Sequence, residues 1–330
     1  MKKFTVALLS FFALPTAIQA NIDPKVAEMC MKATDFEGCV KIMSGQTKKN
    51  SLPVSSKYDE ALILFEAGDT SSALKKINSY IEANNSSKEA YLARGIIYSY
   101  DLYENEKAME DFNKAIEIDD QYSIAYALRA DHIYTELGNV SQAIKDIEKA
   151  YKLSPEDTYV NLARGYILLN YAYTLLDKKK FDLAISNAKD SLISFEKVIL
   201  DNNPKKNLII KRLFPLGVKY HAHALLGDAN FDVLFTAYKK NGDKNGAKQF
   251  LKNSINHYTN AIAIAPSQEE AEKYEIERDF DMITLAELHL YRGNAYSWIK
   301  KDWKKACKDW KVSRKLGNKE AGVNARQWKC

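Results

Sequence analysis

A spacing of 35 residues runs through the middle of this chain. Moved forward by 35, Tyr91, Arg94, Gly95, Ala108, Phe112 and Ala115 fall on Tyr126, Arg129, Ala130, Ala143, Ile147 and Ala150. A second step carries Arg129 and Ala130 to Arg164 and Gly165. A backward step carries Ala108, Phe112 and Ala115 to Ala73, Ile77 and Tyr80. Far downstream, Arg292, Gly293, Tyr296, Ala306 and Trp310 keep the internal spacings of Arg94, Gly95, Tyr98, Ala108 and Phe112. A fixed period of this length marks a unit that cannot bury its apolar face alone and must stack on its neighbours.

Turn signals fall where helices should end, at Gly68-Asp69, Gly138-Asn139, Ser154-Pro155, Gly242-Asp243, Ala265-Pro266 and Gly317-Asn318. Small residues such as Ala108 and Ala115 let two helices approach, and Phe112 fills the space between them. The pattern Tyr91-x-x-Arg94-Gly95-x-x-Tyr98, then Ala108-x-x-x-Phe112-x-x-Ala115, resembles the tetratricopeptide-repeat (TPR) signature. An aromatic stands at the usual Trp position and Arg replaces Leu; Pro155 falls where the signature ends in Pro. The resemblance covers about 54–156 and 286–317 and is weaker between them. It implies an all-α fold, a right-handed superhelix (α-solenoid) of stacked antiparallel helix pairs, of an exported bacterial type.

The layout expected from these signals is a leader at 1–20, a helical hairpin at 21–45 and a polar linker at 46–54. TPR-like units 1–4 fill 55–200, with Ala184 as the small residue of the fourth second helix. A break at 201–207 precedes long pairs over 208–317, with helices at about 208–240, 243–264 (small residue Ala247), 268–300 and 302–316. A capping helix at 318–330 covers the open end, because the last apolar face of a stack would otherwise meet water.

Residues 1–20 have the layout of a secretory signal peptide: Lys2 and Lys3, an apolar run from Thr5 to Leu14, Pro15, and small Ala20 before Asn21. The run is too short to span a bilayer, so no transmembrane segment is expected after cleavage. Export, periplasmic or secreted, is the expectation. The four cysteines, Cys30, Cys39, Cys307 and Cys330, form two local pairs. In an oxidising compartment the least costly loops are Cys30–Cys39 and Cys307–Cys330; in a cytosolic chain four free thiols would be the better reading.

No catalytic constellation emerges. His221-Ala222-His223 is the most tempting pair, but residues two apart on a helix point to different faces. H-E-x-x-H, G-x-S-x-G, the P-loop and G-x-G-x-x-G are absent. Glu269-Glu270 and Asp279-Asp281 read as solvated helix faces. The expectation is a non-catalytic scaffold with no cofactor and no metal.

In the TPR family the first helix of each unit, helix A, lines a concave groove that holds the partner. By register, the position after the Arg-Gly pair gives Ile96, Asp131, Tyr166 and Asn294. Four further on stand Tyr100, Thr135, Asn170 and Trp298. This aromatic and polar mixture suits an extended peptide or protein segment. Leu92 and Ala127 stand where carboxylate-clamp members of the family carry their first Lys, which sets that ligand aside.

The alternative lies in the charge. Without Lys2 and Lys3 the formal charge falls from +5 to +3, of which residues 300–330 alone hold +8 and residues 21–299 hold −5. Lys304, Lys305 and Lys308, around Trp303 and Trp310, are either a solvated face or a docking surface for an anionic envelope component. Nucleic acid is not expected, since no recognition module is visible.

Overall fold

In a computed structural model the described residues are 54–204, 214, 216–278 and 283–330. The expected leader at 1–20, the hairpin at 21–45 with Cys30–Cys39, and the linker up to 53 lie outside them. Among the described residues every regular element is a helix and there is no strand. The chain divides into two compact units, residues 1–97 and 98–330.

In the first unit, α1 (Val54–Ala67) and α2 (Thr70–Ala83) form a hairpin, and α3 (Lys88–Ile96) packs on α2. The turn works because Gly68 takes φ +78° and the Asp69 side chain accepts from Ser72 N–H, capping α2. Arg94 donates to Asn78 Oδ1 at 2.8 Å, tying α3 to α2.

A π-helical turn at Ile97–Asp101 leads into the second unit. There α4 (Asn105–Ile118) packs on α5 (Ser123–Leu137), which forms a hairpin with α6 (Val140–Leu153). A longer hairpin follows, α7 (Thr158–Asp177) with α8 (Phe181–Leu200). Next come α9 (Val218–Asp228), a π-helical segment Ala229–Phe235 and α10 (Thr236–Lys240), which pack on α11 (Lys244–Ile264). The stack ends with α12 (Gln268–Arg278), α13 (Leu285–Ser297), α14 (Trp303–Lys315) and α15 (Lys319–Gln327).

One packing unit recurs. On five second helices a large side chain is fully buried, with a small residue four before it and another buried residue three after. Phe112 lies between Ala108 and Ala115, Ile147 between Ala143 and Ala150, and Trp310 between Ala306 and Ser313. Phe195 between Ser191 and Val198, and Tyr258 between Ser254 and Ala261, repeat it in the middle of the chain. The small position of those two units is therefore serine, at 191 and 254. The expected Ala184 and Ala247 are buried nearer the turn. Ser191 and Ser254 donate their hydroxyls to the carbonyls of Ala188 and Leu251, so neither buries an unsatisfied group. Burying each large side chain contributes about 1.5–3 kcal/mol.

The glycines opposite confirm the register. A methyl group at Gly165, Gly227 or Gly293 would collide with the ring of Phe195, Tyr258 or Trp310. Gly293 and Trp310 are 17 residues apart, whereas Gly165 and Phe195 are 30 apart and Gly227 and Tyr258 are 31 apart. The extra residues amount to about two helical turns on each arm of the hairpin, at 3.6 residues per turn. Whole turns keep the ring facing its glycine. The middle of the chain is therefore the same unit lengthened.

The expected single helix at 268–300 is two helices. α13 begins afresh at Thr284, where a capping box joins the Thr284 hydroxyl and Glu287 N–H, and the Glu287 carboxylate and Thr284 N–H. At the end of the stack, α15 buries Ala321 and Ala325 against Trp310 and Leu290. Cys307 and Cys330 are joined by a disulfide with Cα atoms 5.3 Å apart, as the local-pairing argument expects.

Candidate functional site

The arginine of the repeat motif is structural. Arg129 donates twice to Asp146, at 2.7 and 2.9 Å, and with its remaining nitrogen to Asn113 Oδ1 at 2.8 Å. Arg292 holds Asp309 the same way, at 2.8 and 2.7 Å, and reaches Thr259 Oγ1. Arg164 bonds Glu148 and Ser194. Each arginine thus clamps its own second helix to that of the preceding unit, which leaves the opposite side of helix A for other work.

That other side of the second unit carries side chains in contact from one first helix to the next. Tyr100 on the π-turn donates its hydroxyl to Asp131 on α5, and Tyr159 on α7 joins them, 3.2 Å from the Tyr100 hydroxyl and 3.4 Å from the carboxylate. Tyr134 meets Tyr166 edge-on, with centroids 6.2 Å apart. Tyr173 on α7 donates to Asp232 in the second π segment at 3.2 Å. Phe235 packs edge-on against Trp298 beyond α13, and the Lys239 ammonium lies 3.6 Å from the Trp298 ring centroid.

The register-derived candidates divide on this row. Tyr100 and Asp131 come together in one half-buried cluster with Tyr159. Tyr166 and Trp298 keep 36% and 52% of their surface exposed, so both remain available to a partner. Ile96 is buried. Asn170 donates to the carbonyl of Tyr166 in its own helix. Asn294 accepts from Trp310 Nε1 at 2.9 Å and from Asn324 at 3.2 Å, holding α13 to α14 and α15. The Thr135 side chain lies outside the described residues. Of the basic-end candidates, Lys304 and Lys308 face one cavity, whereas Lys305 pairs with Asp302 at 2.9 Å and lies over Tyr296.

Two residues escaped the sequence reading. Because Gly227 is the glycine of a lengthened unit, the positions one and five after it are Asp228 and Asp232. These match Tyr166 and Asn170 after Gly165. The signal was Ser254-x-x-x-Tyr258-x-x-Ala261, the second-helix pattern with serine for alanine. Asp228 accepts from Tyr258 at 2.6 Å. Burial, reinforced by the charge of Asp232, pushes the Asp228 carboxyl up to about 7. Burial also raises Asp232, although that side chain keeps an open edge to solvent. The Tyr100, Tyr159, Tyr173 and Tyr291 hydroxyls are all raised, chiefly by burial, so they stay protonated donors.

The two histidines part as expected. His221 packs beside Phe214, while His223 reaches His257 on α11 with Nδ1 atoms 3.3 Å apart. Burial lowers His221 and His257 to about 4, keeping both neutral at ordinary pH. Among the described residues no group of three or more His, Cys, Asp or Glu could hold a metal, and no helix is long and apolar enough to cross a membrane.

The sequence model of the tetratricopeptide repeat matches residues 88–122 and 124–157. Residues 88–122 and 124–157 are therefore tetratricopeptide repeats. The chain is 31% identical over 105 residues to human Tetratricopeptide repeat protein 6, across 32% of this chain, and it spans about a fifth (20%) of that relative's length. Among solved structures it is similar to MamA, with a TM-score of 0.40 and 15% identity over 69% of this chain and 97% of that one. It is also similar to YrrB, a TPR protein with an unusual peptide-binding site, with a TM-score of 0.41 and 16% identity over 71% and 97% of the two chains. Yeast Tom70 gives a TM-score of 0.48 at 16% identity, over 89% of this chain and 50% of that one. TPR repeats support a protein–protein interaction scaffold, and the family is generally non-enzymatic.

Proposed function

We propose that this TPR protein is an exported, non-catalytic scaffold that holds an extended peptide or protein partner along the first-helix row of its second unit. The observation that carries the reading is the run of aromatic and acidic side chains from Tyr100 to Trp298 on that row. Exposed Tyr166 and Trp298 offer the partner apolar contact area at low entropic cost. Asp232 offers a carboxylate between them, so the partner segment carries lysine or arginine beside apolar residues. Export rests on the leader-like residues 1–20 and agrees with the Cys307–Cys330 bridge.

Affinity capture from native extracts of the source cells tests this, comparing the parent chain with a Tyr166→Ala, Trp298→Ala double variant that keeps the parent's circular dichroism and melting. The expected result is one or more proteins retained by the parent and lost by the variant. Identical retained sets would refute the reading.

A further inference from the structure

The last helix pair borders an open hollow of about 610 Å³ at the basic end of the chain. Lys304, Lys308, Lys311 and Lys315 line it from α14, and Lys329 lines it from beyond α15. Their spacing of four, three and four residues puts the α14 lysines on one helix face, over a length of about 16 Å at 1.5 Å per residue. Trp303, Val312 and the Cys307–Cys330 bridge complete the wall.

A solvated helix face ordinarily mixes signs, so that each cation finds an acid three or four residues away. Here the acids of α14 and its lead-in are occupied. Asp302 pairs with Lys305, and buried Asp309 is held by Arg292 and His289. Among the described residues no ion pair engages any of the five cavity lysines, and all five are exposed. Their mutual repulsion is an uncompensated cost that a bound anion removes. The apolar wall lets the lysine stems lie down while the ammonium groups reach outward. Beside them Trp328, 52% exposed, packs on Trp303 with ring centroids 5.1 Å apart.

We propose that this end of the molecule docks on an anionic phospholipid surface, with phosphate headgroups entering the lysine-lined hollow and Trp328 resting at headgroup depth. A row of cations alone would serve any polyanion. The exposed indole next to it selects a bilayer, where an amphipathic ring gains from an interface that a soluble polyanion lacks. Lys305, tied to Asp302, has no part in it.

The test is co-sedimentation of the chain from Asn21 onward, the form expected after export, because the apolar run at Thr5–Leu14 would itself partition into lipid. Three probes are used: phosphatidylcholine vesicles, vesicles of phosphatidylcholine with phosphatidylglycerol, and soluble inorganic polyphosphate. We expect salt-sensitive binding to the phosphatidylglycerol vesicles and none to phosphatidylcholine. A Lys304→Gln, Lys308→Gln, Lys311→Gln variant with unchanged melting should bind roughly 100-fold more weakly, and Lys305→Gln should bind like the parent. Equal binding by the triple variant, equal binding to both vesicle types, or binding of polyphosphate without vesicles would each overturn the proposal.

Discussion

Arg129 shows how little of a binding motif need be about binding. Its guanidinium, 17% exposed, satisfies an Asp146 carboxylate that is only 6% exposed. Arg129→Ala would leave that charge buried and unpaired, and should cost roughly 3 kcal/mol in denaturant unfolding. A loss of a few tenths would mean that water replaces the arginine. Asp228 gives a prediction of the opposite kind. Unfolded, it titrates near 3.8; folded, at about 7, with Asp232, Tyr258 and Glu287 the groups that act on it. Between those values the folded chain holds a proton that the unfolded chain has released, so stability drains away as pH rises through the window. Asp228→Asn should therefore melt like the parent near about pH 4 and above it at about pH 8. An equal difference at both pH values would contradict this. At this scale the sequence marked Arg94, Arg129, Arg164 and Arg292 by their recurrence. It could not mark Asp228 and Asp232, because a carboxylate acquires a role only from what packs around it.

Among the elements, the two lengthened hairpins matter most. Exposed helix propensity favours alanine over glycine by about 1 kcal/mol. Packing predicts the reverse at Gly165 and Gly227, where the Phe195 and Tyr258 rings occupy the space of a methyl group. Gly165→Ala and Gly227→Ala should each lose about 1–2 kcal/mol. Gly322→Ala on α15, where the nearest atom would be 3.4 Å away, should be neutral or gain. Thermal melting of the three variants decides it, and a gain at Gly165 or Gly227 would remove the basis for the shared register. The regular units were legible because their spacing is constant. The lengthened ones were not, because insertion of whole helical turns preserves the contact in space while breaking the period along the chain. The division before α13 was readable in Thr284-x-x-Glu287, a capping box hidden inside an otherwise helical stretch.

For the molecule as a whole, the Cys307–Cys330 bridge ties the capping helix to the last pair across 23 residues of sequence. Cys330→Ser should cost about 2–4 kcal/mol, and amide exchange should rise first in α15, the end of the stack with a neighbour on one side only. Exchange that rises uniformly would place the bridge's effect elsewhere. The proposed role of the molecule turns on whether the first-helix row of the second unit is where a partner lies. Photo-crosslinking amino acids at Tyr166 and Trp298, with Leu200 on α8, 73% exposed, as the comparison, test it most directly. A common crosslinked partner is expected from both row positions and none from position 200. Crosslinks from position 200 with none from the row would contradict it.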